Sequence, residues 1–170
     1  MGYVLAKVTS RSLKTELNIS LTLMLSVIPD VDILIPFFEH RGPTHSVISA
    51  LLVFMPFFFF YGKRAFPYFI ALVQHALVGD FIAGYQTQLL WPLTTKPFGT
   101  GLSITSPTNI TIEWIAFGFS MVIMYKSNDM ANLLKPNNSN LILLVPLFTV
   151  LTPTFSAFPL KVPFTIVLPH

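Results

Sequence analysis

The residue types that could carry chemistry are concentrated in one short stretch, residues 29–46. The whole chain has only seven acidic residues and four histidines. Five of them fall within this stretch: Asp30, Asp32, Glu39, His40 and His45. Carboxylates and imidazoles bind divalent metal ions in sites that have no thiolate, so the stretch is a candidate metal site. Within it, Asp30, Asp32 and His45 are the candidate catalytic residues.

The sequence contains no cysteine, which excludes disulfides, thiolate metal sites and cysteine nucleophiles. A metal ion would therefore be held by imidazole, carboxylate or backbone oxygen atoms. By ligand type, the candidate cofactor is a divalent zinc, manganese, iron or magnesium ion, and the choice among them stays open.

A tight turn is expected within this stretch, in the sequence His-Arg-Gly-Pro-Thr-His-Ser at residues 40–46. Its glycine can adopt backbone angles that are closed to other residues, and its proline suits the first position of a helix. The turn should bring His40 near His45. Thr44 and Ser46 would then be in position to cap the helix that follows.

A simpler interpretation of the same residues needs no metal. Asp30 and Asp32 could lie at the headgroup boundary and pair with Arg41, because a charge at the bilayer centre costs about 2.5–3.5 kcal/mol even on the more lenient scale. His40 and His45 would then be interfacial hydrogen-bonding residues. The residues alone leave both interpretations open.

Two further candidates, His75 and Asp80, lie on the third apolar stretch of the chain. Five residues turn an ideal α-helix through about 500°, which leaves the two side chains roughly 140° apart. They can face one site only if the helix is bent or bulged near Gly79. The full candidate ligand set is Asp30, Asp32, His40, His45, His75 and Asp80.

The composition is that of an integral membrane protein. Hydrophobic residues make up 53% and charged residues 10% of the chain, and the mean hydropathy is +0.69, outside the usual range of soluble domains. Five apolar stretches approach the roughly 20 residues that cross ~30 Å of hydrocarbon. They are residues 17–38, 45–61, 65–84, 110–125 and 141–158.

The expected fold is therefore an all-α bundle of five transmembrane helices in one domain, residues 1–170. A polar N-terminal segment, 1–16, precedes the motif-bearing core, 17–93. An outer loop, 94–109, leads to two C-terminal helices and a tail, 110–170.

The basic residues predict how this bundle is oriented. With the N-terminus in the cytoplasm, seven of the ten basic residues lie inside, and Arg41, Lys96 and Lys161 lie outside, as the positive-inside rule favours. The C-terminus is then outside, and the 39–44 turn shares the extracytoplasmic side with the 85–109 loop. The basic residues form no run or stripe, so nucleic acid is not an expected partner. The expected partners are the lipid bilayer and other membrane subunits.

These motifs resemble those of the YdjM-type inner-membrane proteins, which are described as membrane-bound metal-dependent hydrolases. The resemblance rests on Pro-Asp-Val-Asp at 29–32, the turn at 40–46, His75 with Asp80, and Leu-Leu-Trp-Pro at 89–92. It implies a multi-pass helical bundle in the inner (cytoplasmic) membrane with a divalent metal bound by Asp and His. Two features depart from the family pattern: no histidine precedes the turn, and the last two ligands are five rather than four residues apart.

Two functional hypotheses follow, and whether the chain is an enzyme stays open between them. The first is a metal-dependent hydrolase that acts at the extracytoplasmic side on a lipid-like ester or phosphoester. The second is a non-catalytic accessory subunit of a larger membrane complex, for example a metalloenzyme of the ammonia- or methane-monooxygenase type, that keeps the fold and a relic polar or metal site. The two departures and the apolar tail, 161–170, favour the second.

Overall fold

The computed structural model describes residues 1–35, 40–83, 86–103 and 105–157, and the regular structure among them is helical, with no strand. This confirms the all-helical fold class. The α-helices are α1 (Gly2–Leu13), α2 (Ile19–Leu25), α3 (Val47–Tyr61), α4 (Phe66–Gln74), α5 (Phe81–Ala83), α6 (Pro107–Lys126), α7 (Asp129–Leu133) and α8 (Leu144–Ala157). A π-helix, His75–Asp80, joins α4 to α5. Short 3-10 helices cover Ile28–Leu34, Pro43–His45, Gly62–Arg64 and Asn138–Leu143.

Two helices in the described part of the chain are long and apolar enough to cross a membrane, Val47–Arg64 and Pro107–Lys126. Only 11% of the 18-residue apolar segment of each helix is buried inside the protein. Large apolar side chains on them are exposed, including Phe59 at 85% and Trp114 at 68%. Surfaces of this kind belong against hydrocarbon rather than water. The two helices correspond to the predicted stretches 45–61 and 110–125, whereas the count of five spans stays a prediction.

The first apolar stretch, 17–38, does not form one long helix in the residues that are described. The helix α2 ends at Leu25, and the 3-10 helix Ile28–Leu34 follows with Pro29 in its first turn. Proline has no N–H to donate and disfavours the α conformation in the residue before it, so it breaks the helix. The two aspartates of the motif consequently lie on a short 3-10 helix.

The N-terminal segment, which the sequence indicated only as polar, forms the helix α1. Tyr3, Val4 and Ala6 on this helix are buried, and α1 packs against α4. Gly2 permits close packing at its start, because a Cβ atom at that position would lie 2.1 Å from Ser26 Oγ. The first turn of the chain therefore lies directly against the end of α2.

A buried carboxylate ties α1 to α7. Asp129 Oδ2 accepts hydrogen bonds from Tyr3 Oη at 2.6 Å, from Ser127 Oγ at 2.8 Å and from Lys7 Nζ. Burial raises the pKa of Asp129, but the hydrogen bonds from Lys7, Tyr3 and Ser127 outweigh it and hold that pKa below its usual value. Burial and the Asp129 carboxylate raise the pKa of Tyr3 to about 12.

We expect Asp129→Ala to lower the free energy of unfolding by about 1–3 kcal/mol, because it leaves the partly buried donors of Lys7 and Tyr3 without their acceptor. Lys135→Ala is the matched control, since its ammonium binds only the exposed Asn132 side chain among the contacts described. Thermal unfolding in detergent at neutral pH measures both. Equal midpoints for wild type and Asp129→Ala would contradict the prediction.

The same comparison has a defined pH dependence. Asp129 has a lower pKa in the folded than in the unfolded state. Its contribution to the free energy of unfolding is therefore fully present above the unfolded-state pKa of about 3.9. It is lost as the pH falls further. The difference in midpoint between wild type and Asp129→Ala should therefore narrow below about pH 4.

Candidate metal centre

Four side chains from three segments converge on one point. Asp30 Oδ1 lies 3.3 Å from His45 Nε2 and 3.2 Å from His75 Nε2. Asp80 Oδ2 lies 3.4 Å from His45 Nε2 and 3.9 Å from His75 Nε2. The 3-10 helix Ile28–Leu34, the turn before α3 and the π-helix each contribute to this cluster. Two imidazoles and two carboxylates thus face each other.

The π-helix explains how His75 and Asp80 reach the same point. In a π-helix each hydrogen bond joins residue i to residue i+5, so residues five apart lie one above the other. The segment His75–Asp80 has this conformation. It supplies the bulge near Gly79 that the five-residue spacing requires. Such bulges are frequent at functional sites.

The hydrogen-bond partners of His45 determine which of its ring nitrogens faces the cluster. Its Nδ1 lies 3.3 Å from Asp32 Oδ2 and 3.0 Å from Thr44 Oγ1. The threonine hydroxyl gives its own proton to Asp32 Oδ2, at 2.6 Å. Both neighbours are therefore acceptors, so Nδ1 carries the proton. In the neutral ring, Nε2 then presents a lone pair toward Asp30 and Asp80.

His75 is oriented in the same way by a backbone carbonyl. Its Nδ1 lies 3.0 Å from Ser26 O, which can only accept a hydrogen bond. The proton therefore sits on Nδ1, and Nε2 has a free lone pair in the neutral ring. Fixing a ligand histidine through a hydrogen bond from its other nitrogen is the usual arrangement at metal sites.

The cluster fits a divalent cation by charge and by spacing. With both rings neutral, two imidazole lone pairs would face two carboxylate oxygens, an arrangement that repels itself without positive charge between the groups. Asp80 Oδ2 is buried and has no hydrogen-bond partner among the described residues. Four ligand atoms at the ~2.0–2.2 Å of zinc–nitrogen and zinc–oxygen bonds lie about 3.3–3.6 Å apart in a tetrahedral site. The four observed His–Asp separations, 3.2–3.9 Å, bracket that range.

Asp32 lies behind the cluster and organises the turn. Its side chain is fully buried. Besides its contacts with Thr44 and His45, its carboxylate accepts from the backbone N–H of Arg41 at 3.3 Å and lies 2.9 Å from His40 Nδ1. His40 is 41% exposed and stands on the outer side of Asp32. Geometrically, His40 with Asp30 and His45 forms a second group that could hold a metal ion.

The loop after α5 holds the turn from the other side. The backbone carbonyl of Arg41 accepts from Gln88 N and from Thr87 Oγ1, each at 3.1 Å. Ser46 Oγ lies 2.6 Å from the carbonyl oxygen of Trp91 and caps α3 by accepting from the first backbone N–H groups of that helix. The turn and this loop, which the sequence placed on the same side of the membrane, are therefore in direct contact.

Several details differ from the sequence-based expectation. Ser46 caps α3 as predicted, but Thr44 binds Asp32 instead of capping. The positive φ of the turn falls on Arg41, at 68°, while Gly42 has φ −89°. The reason is that hydrogen bonds hold the Arg41 backbone on both sides. Of the predicted pairing between the aspartates and Arg41, the structure describes the hydrogen bond from the Arg41 backbone N–H to Asp32.

Other candidate residues lie elsewhere. Glu113, an acidic residue on α6, accepts from Asn109 Nδ2 on its own helix. Glu39 lies outside the described residues, as does the apolar tail 161–170. Sequence reasoning missed the carbonyl of Ser26, and no sequence signal could have found it, because any residue there would offer the same atom.

Comparison with known proteins gives one family match. The model of the YdjM inner membrane protein family matches residues 1–161. No match was found among curated proteins or among solved structures.

The π-helix predicts an unusual tolerance to deletion. Removing Leu77, which is 42% exposed, should convert the π-helix to a regular α-helix with His75 and Asp80 four residues apart, still on one face. We expect this variant to bind zinc or manganese as the wild type does, measured by titration of purified protein. Deleting Leu72 in α4 is the control, because it rotates everything after it by about 100° relative to α4. Equal loss of binding in both variants would contradict the prediction.

Proposed function

The chain belongs to the YdjM inner membrane protein family and lies in the inner membrane, and on this basis we propose that it is a membrane-embedded hydrolase that depends on a divalent metal. The substrate class proposed is an ester or phosphoester reached at the extracytoplasmic side. The observation that carries this proposal is the convergence of Asp30, His45, His75 and Asp80, in which each carboxylate lies 3.2–3.9 Å from both imidazole Nε2 atoms. Ionisable side chains inside a membrane protein cost free energy, and they therefore usually mark a functional site.

These four residues are the proposed ligands. A divalent ion bound by them would polarise a substrate oxygen and lower the pKa of a bound water to about 7. The two imidazoles favour zinc or iron, and the two carboxylates also suit manganese, whereas magnesium prefers oxygen ligands and keeps several of its waters.

The remaining residues of the motif have distinct proposed roles. Asp32 is a positioning residue, because it touches His45 through Nδ1 and holds the imidazole with Nε2 toward the centre. Asp30 is the most exposed of the four ligands, at 27% of its side chain, against 0% for His45. We therefore assign the water-accessible side of the centre to Asp30. His40, at 41% exposed, lies on the same side.

The accessory-subunit hypothesis has less support than it had from the sequence. One of the departures that motivated it was the five-residue spacing of His75 and Asp80, and the π-helix accommodates that spacing. The apolar tail was a second argument for this hypothesis, and it lies outside the described residues. The ligand geometry described above therefore leads us to propose the hydrolase.

The topology of five spans with the N-terminus inside is also part of the proposal. The helical run from Phe66 to Ala83, made of α4, the π-helix and α5, supports a third span beside the two long apolar helices. In this topology, Arg41 and Lys96 lie outside, on the side from which the centre opens.

Metal analysis tests the function directly. We expect purified wild-type protein to contain about one zinc, manganese or iron ion per chain, measured by elemental mass spectrometry. His45→Ala, His75→Ala and Asp80→Asn should fall to background. Asp32→Asn should weaken metal affinity about 10–100-fold, because it acts on a ligand and not on the ion. Hydrolysis of p-nitrophenyl esters and of bis(p-nitrophenyl) phosphate should decrease in the same order.

Glu113→Gln provides the control, since it removes a membrane-level carboxylate that hydrogen-bonds only within its own helix among the contacts described. It should retain wild-type metal content. Wild-type protein without stoichiometric metal, after loading with each of the four candidate ions, would overturn the proposal.

The absence of cysteine from the sequence makes the topology testable without background labelling. We expect Lys96→Cys to react with a membrane-impermeant maleimide in intact spheroplasts. Lys135→Cys should react only after lysis, since seven of the ten basic residues, Lys135 among them, are placed inside by the charge rule. The reverse pattern, or labelling of both positions before lysis, would contradict the proposed orientation.

A further inference from the structure

A cavity of about 560 Å³ lies beside the metal centre and outside the cluster of ligands. It is open on one side, and its walls come from α1, α2, α6, α7 and the segment that carries His75 and Asp80. Its lining is mainly apolar and includes Leu23, Val27, Ala116, Phe117, Met121 and Met124. Its volume falls in the range of about 300–1,000 Å³ that is typical of small-molecule sites.

The cavity is elongated along α6. The residues of this helix that line it run from Ile112 to Met124 and recur every four residues on one face. At ~1.5 Å per residue, this stripe is about 18 Å long. One leaflet of a bilayer contributes half of the ~30 Å hydrocarbon thickness, or about 15 Å. The length of the cavity therefore corresponds to one hydrocarbon chain lying along the helix.

One end of the cavity adjoins the metal centre. Gly79 lines it and is the residue before the ligand Asp80. Ser26 lines it as well, and the carbonyl of this residue accepts the hydrogen bond that orients His75. A Cβ atom placed on Gly79 would meet nothing within 4 Å, so the wall is open at this point. A molecule in the cavity can therefore extend to the centre at this end.

The surroundings favour a lipid as the occupant. The helix α6 is one of the two candidate membrane spans, and only 11% of it is buried in the protein, so its cavity-facing side lies at the level of the hydrocarbon. Several methionines, among them Met121, Met124 and Met130, line the cavity. Methionine is flexible and adapts to apolar ligands of irregular shape.

We propose that this cavity binds one acyl chain of a glycerolipid and presents the ester or phosphoester of that lipid to the metal centre. The second half of this statement rests on the proposed hydrolase function. The first half does not, because a chain-binding cavity can exist whether or not the centre holds a metal.

The test compares two substitutions on α6 of the full-length protein. Ala116→Phe places a ring inside the cavity. Gly118→Phe places the same ring on the exposed side, about 200° around the helix, where an added side chain meets nothing within 4 Å. The measured quantity is the lipid that stays bound through detergent purification, identified and counted by mass spectrometry after denaturation. We expect about one glycerolipid per chain in the wild type and in Gly118→Phe, and about tenfold less in Ala116→Phe.

A cross-linking experiment on the wild type keeps the proposal falsifiable if Ala116→Phe fails to fold. Cells are fed a diazirine fatty acid, and labelled positions are mapped after irradiation and purification in detergent. Label on Met121 and Met124 supports the proposal. Label confined to the outward residues Ile115 and Phe119 would overturn it. In the retained-lipid measurement, a polyprenyl lipid as the bound species would overturn the proposal, and so would equal amounts of lipid in both α6 variants.

Metal content is measured on the same samples, so the two proposals fail separately. Retained glycerolipid without stoichiometric metal supports the chain-binding cavity and overturns the hydrolase. Stoichiometric metal without retained lipid supports the metal centre and overturns the cavity proposal.

Discussion

The geometry of the centre depends on one buried carboxylate, that of Asp32. A buried charge persists only where hydrogen bonds replace the water that it has lost. Asp32 obtains them from the hydroxyl of Thr44 and the backbone of Arg41, with the rings of His40 and His45 alongside. Satisfying this charge draws the turn onto the 3-10 helix that carries it. The same contacts decide which nitrogen of His45 faces the other ligands, so the turn and the centre form together.

The cluster of ligands is, by contrast, not complete by itself. Two carboxylates and two imidazole lone pairs share a space in which no described group supplies a hydrogen to Asp80 Oδ2. Protons on both rings or a cation would each relieve this arrangement. Stability alone would be better served by apolar side chains of similar volume, because desolvating such groups costs several kcal/mol. The cost of such a cluster in an apolar chain supports the proposal that it serves a function.

Much of this arrangement could be predicted from the sequence. The concentration of acids and histidines at 29–46, the cap at Ser46 and the helices α3 and α6 follow from residue types and local patterns. The burial of α1 did not, because it depends on packing against distant residues. The break in 17–38 has a local cause in Pro29, although the stretch has the length of one span. The π-helix was anticipated only as a condition that the five-residue spacing imposes. Backbone partners such as the carbonyl of Ser26 have no signature in a sequence.

The close approach at Gly2 has a consequence for the whole centre. The space between Gly2 and Ser26 leaves no room for even one additional methyl group, and the carbonyl of Ser26 fixes the ring of His75. Ser26 thus connects the packing of Gly2 to His75, a proposed metal ligand. The position of the His75 ring therefore depends partly on the packing of Gly2, a residue far from the centre in sequence. An alteration at the N-terminus can therefore misalign the centre without touching any of its ligands.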